Sequence, residues 1–468
     1  MIPMNDFFSV MPAAVLALFG CALLLMRFDG GRIYPLFLAV GELLAALGLW
    51  RQSDYIGLVG FQGSILVDRF GIFFNAICLA AALLAALGAY RYLETQEEDH
   101  PEFYSLILFA QSGMYLMVSG TELITVFIGL EITAVSFYVL TGFLRANPRS
   151  NEAALKYLLL GAFSSGLLLY GFSILYGLTG STRYLTITSM LANRLATDPL
   201  MLLAILPIVI GLLFKVAAAP LHMWAPDAYE GAPTPVTAYL ATASKAAAFG
   251  MLLRLILGPL HQFRPGWEAV IGFAAFASLT VGNLAALTQT NARRLLAYSS
   301  IGHVGYILLG LVAGNQTGIE GMLLYLLVYT LMTTGAFLLL AALEREGVDD
   351  FRGLLYTHPA VAMLMIVFLV SLAGLPPTAG FIAKYTIFLA LIQARQYWYA
   401  IIAALYVAVS LYYYFRIVRE MTRKPEPASI SVQISTGWRA AVGITAILTL
   451  GLGLNPEPIF AWARSALK

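Results

Sequence analysis

Stretches of about 20 apolar residues follow one another along nearly the whole of this chain, the length a helix needs to cross the roughly 30 Å hydrocarbon core of a bilayer. About 14 such stretches stand out, centred near residues 17, 42, 78, 111, 132, 165, 210, 246, 278, 304, 330, 370, 408 and 446. With 60% hydrophobic and 11% charged residues, the chain cannot cover its surface with polar groups, as a soluble domain does with about 25% charged residues. In lipid the backbone must satisfy its own hydrogen bonds, which favours helices throughout. The sequence therefore predicts an all-α polytopic membrane protein. Its start, MIPMNDFFSV, lacks the basic opening of a cleavable signal peptide, so the first span is expected to be retained.

Against that background a few charges are conspicuous. Glu131 lies in VFIGLEITAV, Lys156 in ALKYLLLG, Lys215 in VIGLLFKVAAAP, Lys245 in YLATASKAAAFG and Lys384 in AGFIAKYTIFL. A charge at the membrane centre costs roughly 2.5 to 3.5 kcal/mol on insertion, so such residues face protein interiors or water-filled paths and handle ions or protons. Two spans are also broken. The seventh runs into FKVAAAPLHMWAP and the twelfth contains SLAGLPPTAGFIAK. Proline removes a backbone donor and clashes with the preceding turn. Breaks at matching places in two halves point to an internal repeat with an ion path at each break. Lys215 precedes Pro220, and Lys384 follows Pro376 and Pro377. Spans four to eight and nine to thirteen are thus expected to be repeats. The expected segments are residues 1–100 (helices one to three), 101–258 (first repeat), 259–424 (second repeat) and 425–468 (helix fourteen).

With the N-terminus outside, inner loops hold about 14 basic residues and outer ones about 9, and the positive-inside rule places both termini outside. The formal net charge of +2 and the scatter of basic residues give no reason to invoke nucleic acid. Cys21 and Cys78 fall within apolar spans and read as small buried hydrophobes, with no metal or redox cofactor implied.

The chemistry follows from the residue types. A lysine taken from water loses affinity for its proton, and a nearby carboxylate restores it. If Glu131 and Lys215 approach each other, a change in their separation can pass a proton to Lys245 and on toward Lys384. His222 and His303 are natural relays, since histidine titrates near neutral pH and has two exchangeable nitrogens. Ser164, Ser165, Thr242 and Ser244 can hold bridging waters. Plainer roles stand beside these. Lys156 follows Glu152 by four residues, the spacing of a structural ion pair. His222 can cap the broken helix, and His303 can be a satisfied core residue. Glu42 is a lone carboxylate in the second span, left to pair with a neighbouring subunit or helix. His100, His261 and His358 read as loop residues. The Tyr412, Tyr413, Tyr414 run reads as an interfacial anchor.

Four segments carry a family resemblance: residues 102–171, FKVAAAPLHMWAPDAYEGAPTPVTAYLATASKAAAFG, RRLLAYSSIGHVGYILLG and AGLPPTAGFIAKYTIF. Together they span roughly residues 102–390 and resemble the antiporter-like subunits of respiratory complex I, the bacterial NADH-quinone oxidoreductase. GLEITAVSFYVLTGF, ALKYLLLGAFSSG and the lysine in GFIAKYTIF look like its subunit N. The wider superfamily includes Mrp-type cation/proton antiporters and membrane-bound hydrogenases, which supply the alternative reading.

The resemblance implies a fold of 14 helices with inverted repeats. It implies that Glu131 and Lys215 form the coupling pair of the first half-channel, that Lys245 is the central relay, and that Lys384 ends the second half-channel toward the outside. Lys156 matches a lysine that modulates the pair. The chain would serve as a proton-translocating subunit of an oxidoreductase with no redox chemistry of its own. FMN, iron-sulfur clusters and quinone would belong to partner subunits. Another antiporter-like subunit and small membrane subunits are the expected neighbours, in a bacterial inner membrane. The end of the chain departs from the largest sister subunit, because the residues after Lys384 hold two more spans and no long lateral helix.

Overall fold

A computed structural model describes residues 4–25, 33–192, 194–195, 198–343, 346–424, 432 and 434–468. Arg27, Arg32 and Arg345, which entered the charge count above, lie outside them. The chain opens with α1 (Met4–Leu25), α2 (Ile33–Gln52), α3 (Arg69–Thr95), α4 (Pro101–Ser119), α5 (Leu123–Thr141) and α6 (Pro148–Thr179). A short α7 (Tyr184–Leu191) leads to α8 (Pro199–Lys215), α9 (Trp224–Gly231), α10 (Thr234–Tyr239) and α11 (Lys245–Leu257). The second half holds α12 (Arg264–Thr288), α13 (Ala292–Ala313), α14 (Gln316–Ala342), α15 (Leu354–Thr357), α16 (Pro359–Ala373) and α17 (Ala379–Gln393). It closes with α18 (Tyr397–Thr422), α19 (Thr436–Leu454) and α20 (Glu457–Ala466).

Among the described residues, eleven helices are long and apolar enough to cross a membrane, and α8, α16 and α17 are shorter apolar helices. All the centres read from the sequence fall inside helices. One departure is a hairpin between α2 and α3, in which β1 (Val59–Gly60) pairs antiparallel with β2 (Ile65–Leu66). Gly57 and Gly63 sit at φ +92 and +101 there, a region closed to most side chains. Another is α20, which packs on α3 through Phe73 and Trp462, 4.6 Å apart, and reaches α14 through Arg464 and Glu320 at 3.2 Å.

Helix starts follow ordinary capping chemistry. Asp68 accepts from the Gly71 amide at 2.7 Å and Asn315 from the Gly318 amide at 2.8 Å. Close helix contact is made by small residues, as membrane packing requires where no hydrophobic drive separates helix from lipid. A Cβ on Gly129 of α5 would lie 2.6 Å from the Gly113 carbonyl of α4. Glycines line the α12–α13 contact in the same way, at Gly282, Gly302 and Gly305. In α13 and α14, 94% of the apolar window is buried inside the chain, against 28% in α18 and 33% in α1. A charge approaching α13 or α14 must therefore find its partners within the protein.

Both breaks are closed by side chains. After α8, Ala217 takes φ +60. The Ala219 amide donates to Ser278 Oγ of α12 at 2.8 Å, and Trp224 Nε1 donates to the Phe214 carbonyl at 3.0 Å. After α16, Gly374 takes φ +84, and the Gly380 amide donates to Ser371 Oγ at 3.1 Å. Each backbone group freed by a break needs such a partner where water is scarce. A third irregularity, absent from the sequence reading, is the π-helical segment Leu240–Ser244 that joins α10 to α11 and ends directly before Lys245.

Candidate functional site

Lys384, five residues into α17, turns back to the end of α16. Its Nζ donates to the Leu372 and Ala373 carbonyls at 3.0 and 2.9 Å and lies 4.9 Å from the Tyr306 ring. The carbonyl end of a helix carries partial negative charge, so the break itself builds a cation site. The side chain is buried.

Lys245 starts α11 in the core and is 1% exposed. Its ammonium bonds Ser300 Oγ, lies 3.4 Å from the Ser300 carbonyl, and sits 5.7 and 5.8 Å from the rings of Tyr229 and Tyr329. Among the described residues no carboxylate forms an ion pair with it. Ring faces and hydroxyls replace its water shell.

Between these lysines stands His303. Its Nδ1 is 2.7 Å from the Tyr325 hydroxyl and its Nε2 3.2 Å from that of Tyr414, and both lysine charges reach it electrostatically. Tyr414 in turn bonds Ser299. Ser299, Ser300, His303 and Tyr306 recur at helical spacing on α13, so one face of that helix is a polar stripe from Lys245 to Lys384. The tyrosine reading is corrected here. Tyr413 and Tyr414 are 2% and 0% exposed, and only Tyr412, at 65%, faces outward. A phenol suits an interface and a buried hydrogen-bond network equally, and helix rotation decides between them. Cys21 is likewise exposed, while Cys78 is buried.

The first half is arranged differently. Lys215, the last residue of α8, donates to Ser165 Oγ of α6 at 3.1 Å. Glu131 of α5 is within electrostatic range but forms no ion pair with it among the described residues, and its Oε1 is buried without a hydrogen-bond partner. Lys156 lies apart on the chain's surface, 45% exposed, paired with Glu152 at 2.8 Å and Asp227 at 2.9 Å. Asp227 is shared: Arg294 reaches it at 2.7 Å and Glu230 at 2.9 Å. That network ties α9 to α6 and α13. His222 sits in the break, half-buried, with Nδ1 shielded and without a hydrogen-bond partner. Ser164 donates to the Gly211 carbonyl and Thr242 to the Ala238 carbonyl, so a bridging water could reach them only as a donor to their lone pairs.

A polar cavity of about 430 Å³ opens beside the start of α10, lined by Arg91, Arg149, Thr234, Arg293 and Glu346 among others. Arg293 Nη2 bonds Glu346 across it. Sequence reasoning did not find this cavity, whose arginines look like ordinary loop charges. Among the described residues no group of three or more His, Cys, Asp or Glu side chains is placed to hold a metal ion.

Comparison with known proteins follows the same lines. Residues 120–410 match the family described as NADH:quinone oxidoreductase/Mrp antiporter, TM. NADH-quinone oxidoreductase subunit N 2 of Solibacter usitatus is 54% identical over 99% of this chain and 98% of its own length. The subunit N of Paramagnetospirillum magneticum is 38% identical over 100% and 98%. Among solved structures, a chain of respiratory complex I from Thermus thermophilus with bound Aureothin superposes with a TM-score of 0.82 at 35% identity, covering 96% of this chain and 99% of that one. A chain of the Mrp complex from Dietzia shares the fold, with a TM-score of 0.85 at 19% identity over 99% and 97%. This chain belongs to the NADH:quinone oxidoreductase/Mrp antiporter family of membrane subunits, with the N subunits of NADH-quinone oxidoreductase as its full-length relatives.

Proposed function

We propose that the chain is the proton-translocating N-type subunit of a membrane-bound NADH-quinone oxidoreductase. It moves protons while partner subunits carry out the redox chemistry with FMN, iron-sulfur clusters and quinone. The carrying observation is the buried stripe joining Lys245, Ser300, His303 and Lys384, in which each lysine adjoins a helix irregularity. Glu131 and Lys215 act as the switch of the first half, with Lys156 and His222 as auxiliary groups. A pair of charges about 4 Å apart interacts by roughly 4 kcal/mol at an intermediate dielectric. Moving one charge through 100 mV takes roughly 2.3 kcal/mol. Opening and closing the Glu131–Lys215 pair is thus on the scale needed to drive a proton.

The finer architecture belongs to the same proposal. Counting the seventh and twelfth spans across their breaks gives fourteen membrane crossings. Spans four to eight and nine to thirteen form two five-helix repeats. Five is odd, so the second repeat would be inverted in the membrane. The paired contacts of α4 with α5 and of α12 with α13 support this, as do the side-chain-closed breaks that recur five spans apart. Both termini lie outside an inner membrane, and neighbouring membrane subunits, one of them antiporter-like, flank the chain.

The test uses the purified complex in proteoliposomes. NADH addition with a quinone acceptor should drive proton uptake or release at the same rate with or without Na+. Sodium-dependent proton flux in the absence of NADH would favour the Mrp-type exchange reading instead.

A further inference from the structure

Glu42 is an ionisable side chain that the relay does not use. It stands midway along α2, about 15 Å of helix from either end, too deep for a lipid headgroup to reach. The residue is 2% exposed, and both carboxyl oxygens are buried without a hydrogen-bond partner. An isolated carboxylate in such a place costs many kcal/mol, and ionisable groups at this depth mark ion or proton pathways.

Its surroundings lead toward Lys245. Among the described residues two titratable groups lie within its electrostatic reach, Cys78 from α3 and Tyr239 at the end of α10. Asp6 and Cys21 of α1, Asp54 after α2, and Glu102, Tyr104 and Tyr115 of α4 are further titratable groups on elements packed against α2. Cys78 Sγ donates to the Ala243 carbonyl at 3.5 Å, inside the π-helical segment that ends before Lys245. Tyr239 donates to Gln111 Oε1 at 3.2 Å and to the Ile107 carbonyl at 3.3 Å. Cys78 thus holds the segment itself and Tyr239 its entry, while Glu42 has neither donor. On its other side Glu42 lines an apolar cavity of about 330 Å³ with Leu43, Ala46, Trp50, Ile72 and Ala76, on the outer face of α2 and α3.

We propose that Glu42 is a further proton-binding carboxyl, open to lipid-soluble reagents from this cavity, whose proton state positions the π-helical segment that ends before Lys245. An ionised Glu42 is the strongest acceptor near Cys78 and Tyr239, because hydrogen bonds to a charged acceptor are about twice as strong as neutral ones. The S–H and O–H then turn to it, releasing Ala243 and Gln111, and the segment shifts. Protonation restores the arrangement described above. Single-turn π segments inside α-helices recur at functional sites. Glu42 is a positioning residue, and its effect on pumping rests on the reading of Lys245 as the central relay.

Two measurements on the assembled complex test this. A lipid-soluble carbodiimide adds across a protonated carboxyl, and mass spectrometry should find the stable N-acylurea on Glu42, its yield falling as pH rises. No adduct at any pH overturns the proposal, as does equal labelling by a water-soluble carbodiimide. Glu42→Gln imitates the protonated state. It should lower NADH-driven pumping by about three- to thirtyfold, the span expected for a residue coupled through packed neighbours, and flatten one limb of the pH profile. Glu42→Asp should recover part of it. Wild-type pumping by Glu42→Gln at every pH would make Glu42 a permanently neutral core group and end the proposal. Full pumping by Lys245→Ala would remove the relay reading instead, and labelling of Glu42 in that variant would still report on its proton.

Discussion

Glu131 and Lys215 stand within electrostatic range without touching, the geometry of a pair that can close. If they form one switch, their losses do not multiply. Glu131→Gln combined with Lys215→Ala is expected to pump no worse than the more damaging single variant, since residues acting as a unit are lost once. A double-mutant cycle of pumping rates in vesicles checks it, and independent factors would separate the two residues. Lys215→Arg is also expected to impair pumping, because arginine keeps its proton in proteins. The lysines were legible in the sequence because a charge inside an apolar run has few structural excuses. The tyrosines around them were not. Tyr325, Tyr329 and Tyr414 are as apolar as their neighbours by composition, and only the facing of α13, α14 and α18 turns their hydroxyls inward. The spacing of Ser299, His303 and Tyr306 in SSIGHVGY was the signal available for the stripe. Lys156 shows the opposite case. Its i, i+4 partner Glu152 was readable, while Asp227 is 71 residues distant and emerges only from folding.

At the scale of elements, one buried amide in each break is satisfied by a single hydroxyl. Ser278 accepts from the Ala219 amide and Ser371 from the Gly380 amide. Either serine changed to alanine leaves a buried amide unpaired, at a cost of about 1 to 3 kcal/mol. The expected outcome is an assembled complex with lower pumping and faster amide hydrogen exchange confined to residues around the break. Unchanged exchange there would show that water already serves these groups. A different clamp sets the C-terminal end of α11. Arg254 binds both oxygens of Asp68 at 2.8 Å and donates to the Val118 carbonyl at 2.6 Å, while Asp68 also caps α3. Asp68→Ala removes a bidentate partner and a cap together, so about 2 kcal/mol of stability is expected to go, read as a lower temperature at which this subunit leaves the complex. The breaks themselves were foreseeable from Pro220, Pro376 and Pro377. The π segment before Lys245 was not, because LATAS carries no residue that forbids an ordinary helix, and tertiary packing selects it.

For the molecule as a whole, membrane helices were readable from hydropathy alone, whereas the short hairpin after α2 and the closing helix α20 were not, being too short to leave a periodic pattern. The loop charges predict an orientation in the membrane, and with it where reagents can reach. In a variant lacking Cys21 and Cys78, a cysteine at Gln96 is expected to react with a membrane-impermeant maleimide only from the inside, and one at Ser181 only from the outside. The reverse labelling would invert the whole assignment. The central claim is that buried lysines carry protons along the core, and Lys384 offers the cleanest probe, because its ammonium also closes a helix end. Lys384→Arg keeps a charge and donors for the Leu372 and Ala373 carbonyls but cannot release its proton. The direct measurement is NADH-driven proton translocation by this variant in proteoliposomes. The account predicts a fully assembled complex whose pumping falls by about a hundredfold, the lower end for loss of a proton-transfer group. Wild-type pumping by the assembled Lys384→Arg complex would contradict it.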